Sequence, residues 1–260
     1  DSLYPEVTWF AYPKVGQKNP SCRIGVVNCC SGETRWIQLP GDPREHYVPR
    51  MQWADNSGEV LLQQFNRLQN RNQLFLVDVA SGGVNAILTE EDEAWVDAHN
   101  ELHWINDGKQ FTWISERDGW RHVYIVSRSG DEATLATPGN FDVIRLLHVD
   151  EASGWLYFIA SPDDASQRYL FRSRLNGCDL QRVTPQETPG THGYQMSTDS
   201  RFAIHQISST ERPPIVTLIT LPDHESVRIL ETNDELCRIL DKLQKGNIEF
   251  TRVDIGDGVT

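Results

Sequence analysis

The sequence of 260 residues is poor in positive charge and in long apolar runs. Its 24 Lys and Arg stand against 37 Asp and Glu, which gives a net charge of -13. Because an acidic surface repels phosphates and no basic stripe interrupts it, we expect no nucleic-acid partner. No apolar run approaches the roughly 18 residues that a membrane helix needs, so no membrane span is expected in this chain.

The sequence is also poor in cysteine. Its cysteines number five, which is odd, and they show no paired CxxC spacing. The sequence therefore predicts neither a zinc site nor a disulfide framework. Free thiols in or near strands are expected, and a single disulfide stays an alternative if the parent protein is exported. We expect no metal and no cofactor.

A leader segment and a catalytic elbow are missing as well. The chain opens with Asp1 and not with a charged and then apolar segment, so a signal peptide is either absent or lies upstream of this piece. The sequence contains no G-x-S-x-G turn, which would expose a serine nucleophile. We therefore expect a fragment that does not cleave peptides by itself.

What the sequence does contain is a repeat of about 48 residues. Pairs of hydrophobic segments with a turn between them occupy 53–65 and 104–115, and weaker copies follow at 149–160 and 196–207. Equivalent positions in successive copies are spaced by 50, 49, 47 and 46 residues; they are Asn28, Asp78, Ser127, Arg174 and Thr220. This period is typical of a β-propeller blade.

Turn chemistry and hydrophobic pattern support this interpretation. Asp-Gly, Ser-Gly and Asn-Gly steps reach the positive φ that tight hairpins require. Leu74 and Leu76 on one side of a strand, and Phe75 and Val77 on the other, are all apolar, as expected for sheets that pack on both faces. The predicted fold is all-β, a β-propeller of four-stranded antiparallel blades, with about five blades in this chain.

The chain divides into three predicted parts. Residues 1–20 contain three prolines in an extended stretch and form an arm that leaves a blade. Residues 21–231 form the partial propeller, and 232–260 form a linker helix and a first strand toward a further domain. Leu236, Ile239, Leu240 and Leu243 share one helical face, Asn233 or Asp234 is expected to cap the helix, and 250–255 are expected to form the strand.

Two stretches resemble signatures of the propeller domain of the dipeptidyl peptidase IV family, the S9B type of prolyl-oligopeptidase-like serine peptidases. Residues 12–20 read Tyr-Pro-Lys-Val-Gly-Gln-Lys-Asn-Pro, which is similar to the family's Tyr-Pro-Lys-Ala-Gly-x-x-Asn-Pro. Residues 115–124 read Ser-Glu-Arg-Asp-Gly-Trp-Arg-His-Val-Tyr, which is similar to Ser-Glu-x-x-Gly-aromatic-Arg-His-hydrophobic-Tyr. Weaker matches in family order extend the resemblance over nearly the whole chain.

The resemblance implies an eight-bladed propeller that caps an α/β-hydrolase domain, with an active-site cavity between them. The activity implied is release of dipeptides from peptides with a free N-terminus, commonly after Pro or Ala. The implied partners are such peptides, the protein's own C-terminal α/β-hydrolase domain and a second copy in a homodimer. A periplasmic or cell-surface location is favoured over a cytoplasmic one.

The resemblance also suggests site residues. In family order the glutamate pair that binds the substrate's amino group precedes Asp1, whereas Glu90 and Glu91 match a solvent-exposed turn at a blade end. Some members place an Arg and a Phe after the Trp-Val step to line an extended pocket. Here the loop is shorter and lacks both residues, so Trp95, Asp97 and His99 are the candidates for lining the substrate cavity, with a plain surface loop as the alternative.

The arm that contributes to dimerisation in relatives corresponds to residues 1–12 of this chain. Trp9, Phe10 and Tyr12 would supply apolar anchors for such a contact. They are therefore the predicted dimer arm.

Other interpretations of the same residues are open. The 115–122 stretch combines acid, base and imidazole, but an Asp-Gly turn with an Arg121–Glu116 pair and a packed Trp120 is the simpler account. A stand-alone propeller that serves as a protein-interaction scaffold is the alternative function. A propeller glycosidase would need two carboxylates facing each other across a funnel.

Overall fold

The computed structural model describes residues 3–12, 14–244, 246 and 248–256. Over these residues the chain is nearly all β, with four four-stranded antiparallel sheets, one two-stranded sheet and one short helix. The sheets confirm the predicted all-β fold, because successive four-stranded antiparallel sheets are the blades of a β-propeller. The chain divides into two compact units, one containing residues up to Asn100 with Arg128–Asp131, the other containing Glu101–Ser127 and the chain from Glu132 onward.

The first unit contains two sheets. The two-stranded sheet consists of β1 (Ile24–Val27) and β2 (Thr34–Ile37), and the four-stranded sheet of β3 (His46–Trp53), β4 (Glu59–Asn66), β5 (Arg71–Asp78) and β6 (Val84–Glu91), in that order. Ile37 of β2 packs with Val60, Leu62, Phe75 and Val77 of β4 and β5. The core of this unit therefore lies between its two sheets.

The second unit contains three four-stranded sheets. Their strands are β7 (Trp104–Ile105), β8 (Gln110–Ser115), β9 (His122–Ser127) and β10 (Ala133–Leu135); β11 (Val143–Asp150), β12 (Trp155–Ala160), β13 (Tyr169–Arg174) and β14 (Gln181–Arg182); and β15 (Thr191–Met196), β16 (Phe202–Ser208), β17 (Ile215–Thr220) and β18 (Ser226–Glu231). Apolar clusters join the first of these sheets to the second and the second to the third. Every residue of β12 is buried, so the middle sheet is covered on both faces.

Turn glycines behave as the hairpin pattern predicts at several positions. Gly82, Gly154 and Gly177 have φ of 77°, 71° and 81°, conformations that cost glycine little because it has no Cβ. In the turn between β3 and β4, however, positive φ falls on Asp55 (59°) and not on Gly58. The dipeptide pattern locates this turn but not its strained residue.

The end of the described chain departs from the prediction in two ways. The helix α1 (Asp234–Leu240) forms, but Asn233 gives it no side-chain cap, because its backbone is left-handed (φ 56°, ψ 32°) and not in the extended conformation of a capping residue. The Asn233 side-chain amide instead donates to the Pro214 carbonyl at 2.6 Å. The predicted strand over 250–255 does not form, and Gly256 makes only a single β-bridge.

The described part of the chain holds no helix with the length and apolar character to cross a membrane.

Candidate functional site

A largely apolar cavity of about 500 Å³ lies in the first unit. The start of β3, the end of β4 and the loop after β6 supply most of its wall. The lining residues are Pro20, Cys22, His46, Tyr47, Val48, Pro49, Phe65, Gln69, Trp95, Val96, Asp97 and Ala98. Aromatic and aliphatic walls with a few polar groups are typical of sites that bind small molecules or peptide side chains. We call this space the Trp95 cavity.

The loop after β6 is held in a defined conformation. The Asp92 carboxylate accepts hydrogen bonds from the backbone of Ala94 at 2.7 Å and of Trp95 at 3.2 Å, the pattern by which Asp stabilises a turn. The Val96 amide donates to the Gln69 carbonyl at 3.0 Å. The backbone that carries Trp95 and Asp97 is therefore fixed at both ends of the turn.

Trp95 is oriented by Asp97. Its indole Nε1 donates to the Asp97 Oδ1 at 2.9 Å, while 52% of the residue stays exposed. Because the single polar group of the indole is satisfied inside the loop, the ring can contact an apolar ligand without losing a hydrogen bond. Asp97 thus positions the ring, and Trp95 offers the contact surface.

The opposite wall is formed by an irregular part of β3. The register between β3 and β4 shifts between Tyr47 and Arg50, and Pro49, which has no N–H for a ladder bond, lies in this bulge. The Tyr47 hydroxyl lies 2.9 Å from the Asn19 side-chain amide and also bonds to Arg67. These hydrogen bonds therefore fix the hydroxyl end of Tyr47, and its ring forms part of the wall of the Trp95 cavity.

His46 contributes no positive charge to this wall at neutral pH. The Gln64 side-chain nitrogen donates to the Pro40 carbonyl and to His46 Nδ1, each at 3.0 Å, so Nδ1 acts as an acceptor. Burial lowers the pKa of His46, against the opposing effect of the Asp42 carboxylate. Asp97 is accordingly the charged side chain of the cavity wall.

The three residues predicted to line a substrate cavity are placed differently. Trp95 and Asp97 line the Trp95 cavity, whereas His99, which is only 8% exposed, is not among its lining residues. The His99 carbonyl accepts a hydrogen bond from the Gln63 side chain at 2.8 Å. His99 therefore ties the end of the loop to β4.

The secondary structure of Glu90 and Glu91 differs from the prediction, whereas the exposure of Glu91 agrees with it. They are the last two residues of β6, not a turn. The Glu91 carboxylate forms an ion pair with Arg71 at 2.6 Å, with side chains 62% and 46% exposed. The predicted turn is wrong at this position because the antiparallel pairing of β5 and β6 continues to Arg71 and Glu91.

The acid-base stretch after β8 makes structural contacts in the second unit. Asp118 Oδ2 lies 2.9 Å from the Nδ1 of His122, a residue that is buried. Arg121 pairs with Glu101 at 3.3 Å, a partner that the sequence did not predict. Trp120 is exposed and does not pack into a core. The ion pair of Arg121 joins two residues that are 20 positions apart in the sequence. No local sequence pattern predicts such a pair.

The predicted arm is exposed along its described length. Residues 3–12 contain no strand or helix, and all of them are exposed. Trp9 is 91% exposed, Phe10 78% and Tyr12 75%. Pro13 of the 12–20 motif lies outside the described residues.

Sequence reasoning missed the β3 side of the cavity. Tyr47, Val48 and Pro49 line it, and the only signal for them is Pro49 inside a segment that otherwise reads as a strand. A proline there predicts a bulge or an edge. It does not predict which distant loop the bulge will face.

Comparisons with known proteins give a consistent result. Residues 1–214 match the family model described as the dipeptidyl peptidase IV (DPP IV) N-terminal region. A relative named "Probable dipeptidyl-aminopeptidase B" from Emericella nidulans is 27% identical over 99% of this chain and 30% of its own length. The "Dipeptidyl peptidase 4" of Trichophyton equinum is 24% identical over 99% of this chain and 34% of its length.

A solved structure is similar over nearly the whole chain. The crystal structure of Porphyromonas gingivalis dipeptidyl peptidase 4 matches with a TM-score of 0.85 and 29% identity, and covers 96% of this chain and 35% of that protein. The chain thus spans about a third of the length of the proteins it matches.

Proposed function

Because the chain belongs to the family of dipeptidyl peptidase IV N-terminal regions, we propose that it is the non-catalytic, substrate-admitting region of a peptidase that releases dipeptides from peptide N-termini. In this proposal it caps the active-site cavity of the parent protein, limits access to extended peptides and binds them through the Trp95 cavity. The reacting serine, aspartate and histidine belong to the parent's α/β-hydrolase domain.

The observation that carries the proposal is the apolar cavity with an oriented indole. An extended peptide has apolar side chains, such as proline or alanine, that gain by leaving water against Trp95, Tyr47 and Phe65. The Asp97 carboxylate keeps the indole in place and supplies negative charge near a cationic peptide. His99 supports the loop from β4.

The test is a calorimetric titration of the 260-residue chain with a short Ala-Pro peptide that has a free N-terminus. Trp95→Ala should weaken binding about twofold to tenfold, because aromatic contacts contribute about 0.5–1.5 kcal/mol. Asp97→Ala should weaken it by a smaller factor, since the ring remains but is no longer oriented. The peptide should be recovered intact after incubation.

The matched control is Trp53→Ala. Trp53 is exposed like Trp95 and lies in the same unit, but it does not line the Trp95 cavity. Equal affinities for the two tryptophan variants would refute the binding role of the cavity. Cleavage of the peptide by the chain alone would refute its non-catalytic role.

We also propose that the exposed arm contributes to dimerisation. Trp9, Phe10 and Tyr12 present three aromatic side chains without a covering element, and aromatics are enriched at the centres of protein interfaces. In the parent protein, deletion of residues 1–11 should convert a dimer to a monomer by light scattering. Replacing the three aromatics together by Ser should do the same without shortening the chain. An unchanged mass in both variants would exclude the arm as the dimer contact.

A further inference from the structure

Three histidines meet in the last sheet of the second unit. His192 lies on β15, His205 on β16 and His224 in the turn between β17 and β18. The rings of His192 and His205 stack with centroids 5.1 Å apart, and those of His205 and His224 meet edge to face at 4.8 Å. Tyr194, which pairs with His205 across the two strands, stacks on it at 4.8 Å. We call this group the histidine cluster.

The hydrogen bonds fix the protonation of His192. Its Nε2 lies 2.9 Å from the Thr188 carbonyl, which can only accept, so Nε2 carries a hydrogen. Its Nδ1 lies 2.8 Å from the Nε2 of His205. In the neutral ring Nδ1 is an acceptor, so His205 Nε2 donates to it, and in the neutral form of His205 the Nδ1 atom then carries no hydrogen.

One further proton can enter this pair at the free Nδ1 of His205, and the His205 Nε2–H then still donates to His192 Nδ1. Protonation of His192 places a hydrogen on Nδ1, which then faces the N–H of His205. The bond survives if His205 moves its own hydrogen to Nδ1 and accepts at Nε2. When both rings are protonated, two N–H groups point at each other across 2.8 Å, and the contact is lost.

His224 and Tyr194 form a second branch. Tyr194 bonds to His224 Nε2 at 2.9 Å and to Thr184 Oγ1 at 2.8 Å, and Thr184 in turn accepts from the backbone of Leu170 on β13. The branch therefore links the last sheet to the middle sheet through Thr184. Burial raises the pKa of Tyr194, so the phenol stays neutral.

The charged group that faces the cluster from the middle sheet is a cation. Arg182 of β14 stacks on the Tyr169 ring at 3.6 Å, and Tyr169 lies 5.6 Å from the ring of His192. Asp163 lies 4.0 Å from the Arg182 guanidinium, so its negative charge interacts mainly with Arg182 and not with the histidines. Asp223 and Glu225 flank His224 in sequence and are exposed.

We propose that the histidine cluster is a pH-sensitive switch that holds the last sheet on the middle sheet at neutral pH and releases it in acid. The neutral rings complete the contact to Thr188 and, through Tyr194, to Thr184. Added protons put like charges about 5 Å apart beside Arg182 and remove the acceptor that His192 offers to His205. The apolar cluster between the two sheets then loses the hydrogen bonds at its edge. This cluster contains Tyr194, Ala203, Ile219, Leu170 and Val183.

The direction of the pH effect follows from the protonation of each state. Burial lowers the pKa of His192 to about 4 and that of His205 to about 3, and it also lowers that of His224. In the unfolded chain these rings titrate near 6.5. Between these values the unfolded chain binds more protons, so the contribution to stability is complete above about pH 6.5 and is lost as pH falls toward 4.

The test compares the pH dependence of urea unfolding of the 260-residue chain with that of the variant His192→Gln/His205→Gln. A glutamine at 192 can still donate to the Thr188 carbonyl and accept from position 205. Between pH 6 and 5 the unfolding constant of the wild type should rise about tenfold per pH unit more for each replaced histidine than that of the variant. Gln206→Ala, at an exposed and non-titrating position of β16 in the same sheet, is the matched control and should keep the wild-type slope.

A second measurement keeps the proposal testable if the double variant does not fold. Nitrogen chemical shifts of the imidazoles in the wild-type chain at pH 7.5 should show His192 protonated at Nε2 only. Neither His192 nor His205 should titrate near pH 6.5 in the folded chain. Titration of both at that pH, or equal slopes in wild type and double variant, would overturn the proposal.

Discussion

The middle and last sheets of the second unit have the same four-stranded plan but different surroundings. In the middle sheet every residue of β12 is buried, whereas β16 alternates between buried and exposed residues up to Gln206, and all of β18 is exposed. The middle sheet is held by apolar packing on both faces. The last sheet is held on one face only, and there part of the contact is the polar histidine cluster. The comparison indicates that one blade plan can bury a central strand completely or leave one of its faces open, depending on what covers the sheet.

The largest difference should come from removing a core ring in the middle sheet. Phe158 of β12 is fully buried and stacks with Phe141 at 6.1 Å and Phe171 at 5.9 Å. Phe158→Ala leaves a cavity that neighbouring rings fill only in part, so the free energy of unfolding should fall by about 3–5 kcal/mol. Urea unfolding monitored by circular dichroism measures this. A loss below about 1 kcal/mol would show that the middle sheet does not carry the core.

Acid should act on the last sheet before the middle one. From pH 7.5 to 5 the two stacked histidines should cost the last sheet about 1–2 kcal/mol each. Hydrogen exchange, corrected for the intrinsic pH effect, should show β16 losing protection while β12 keeps it. Equal losses in the two strands would remove the distinction between the sheets.

A turn substitution should test the contact between sheets of the second unit. Gly177 has φ of 81°, and a Cβ there would overlap the Leu135 carbonyl of β10. Gly177→Ala should destabilise the chain by about 2 kcal/mol, since both the backbone conformation and the close approach disfavour a side chain. Gly154→Ala, at φ of 71° but with only the Arg174 side chain at 3.9 Å, is the control for backbone strain alone. Equal costs would mean that the close approach does not matter.

The smallest effect should come from the open face of the last sheet. Ile204 of β16 is 41% exposed. Ile204→Ala should change the free energy of unfolding by less than about 1 kcal/mol, because little apolar area returns to water. Ala203→Ser, at the adjacent buried position, is the contrasting variant. A cost for Ile204→Ala near that of Phe158→Ala would show that the open face is covered.

Much of the fold could be predicted from the sequence because the repeat is local. Strand pairs such as β4 and β5 carry their own turn residues and apolar faces, so their existence and approximate limits follow from spacing. The partners of Arg121 and Asn233 were not predicted. Each side chain bonds to a residue about 20 positions away, Glu101 and Pro214 respectively. Such choices depend on the packing of elements that a local pattern does not describe.

The candidate site was predicted in part. The family resemblance pointed to Trp95 and Asp97, and both line one cavity. Tyr47 and Phe65 were missed, since their approach to the loop depends on the bulge in β3. The histidine cluster was missed for a similar reason. His192, His205 and His224 lie on β15, on β16 and in the turn after β17, so they are far apart in sequence. Only the strand register brings Tyr194 opposite His205.

The proposed function depends most on the binding of a peptide in the Trp95 cavity. An Ala-Pro peptide with a free N-terminus and a photoreactive diazirine side chain would be bound to the 260-residue chain, irradiated and mapped by mass spectrometry. We predict cross-links to the 47–49 and 95–98 segments, and competition by unlabelled peptide. Cross-links confined to other segments, or labelling that unlabelled peptide does not reduce, would contradict a peptide-binding role of the Trp95 cavity.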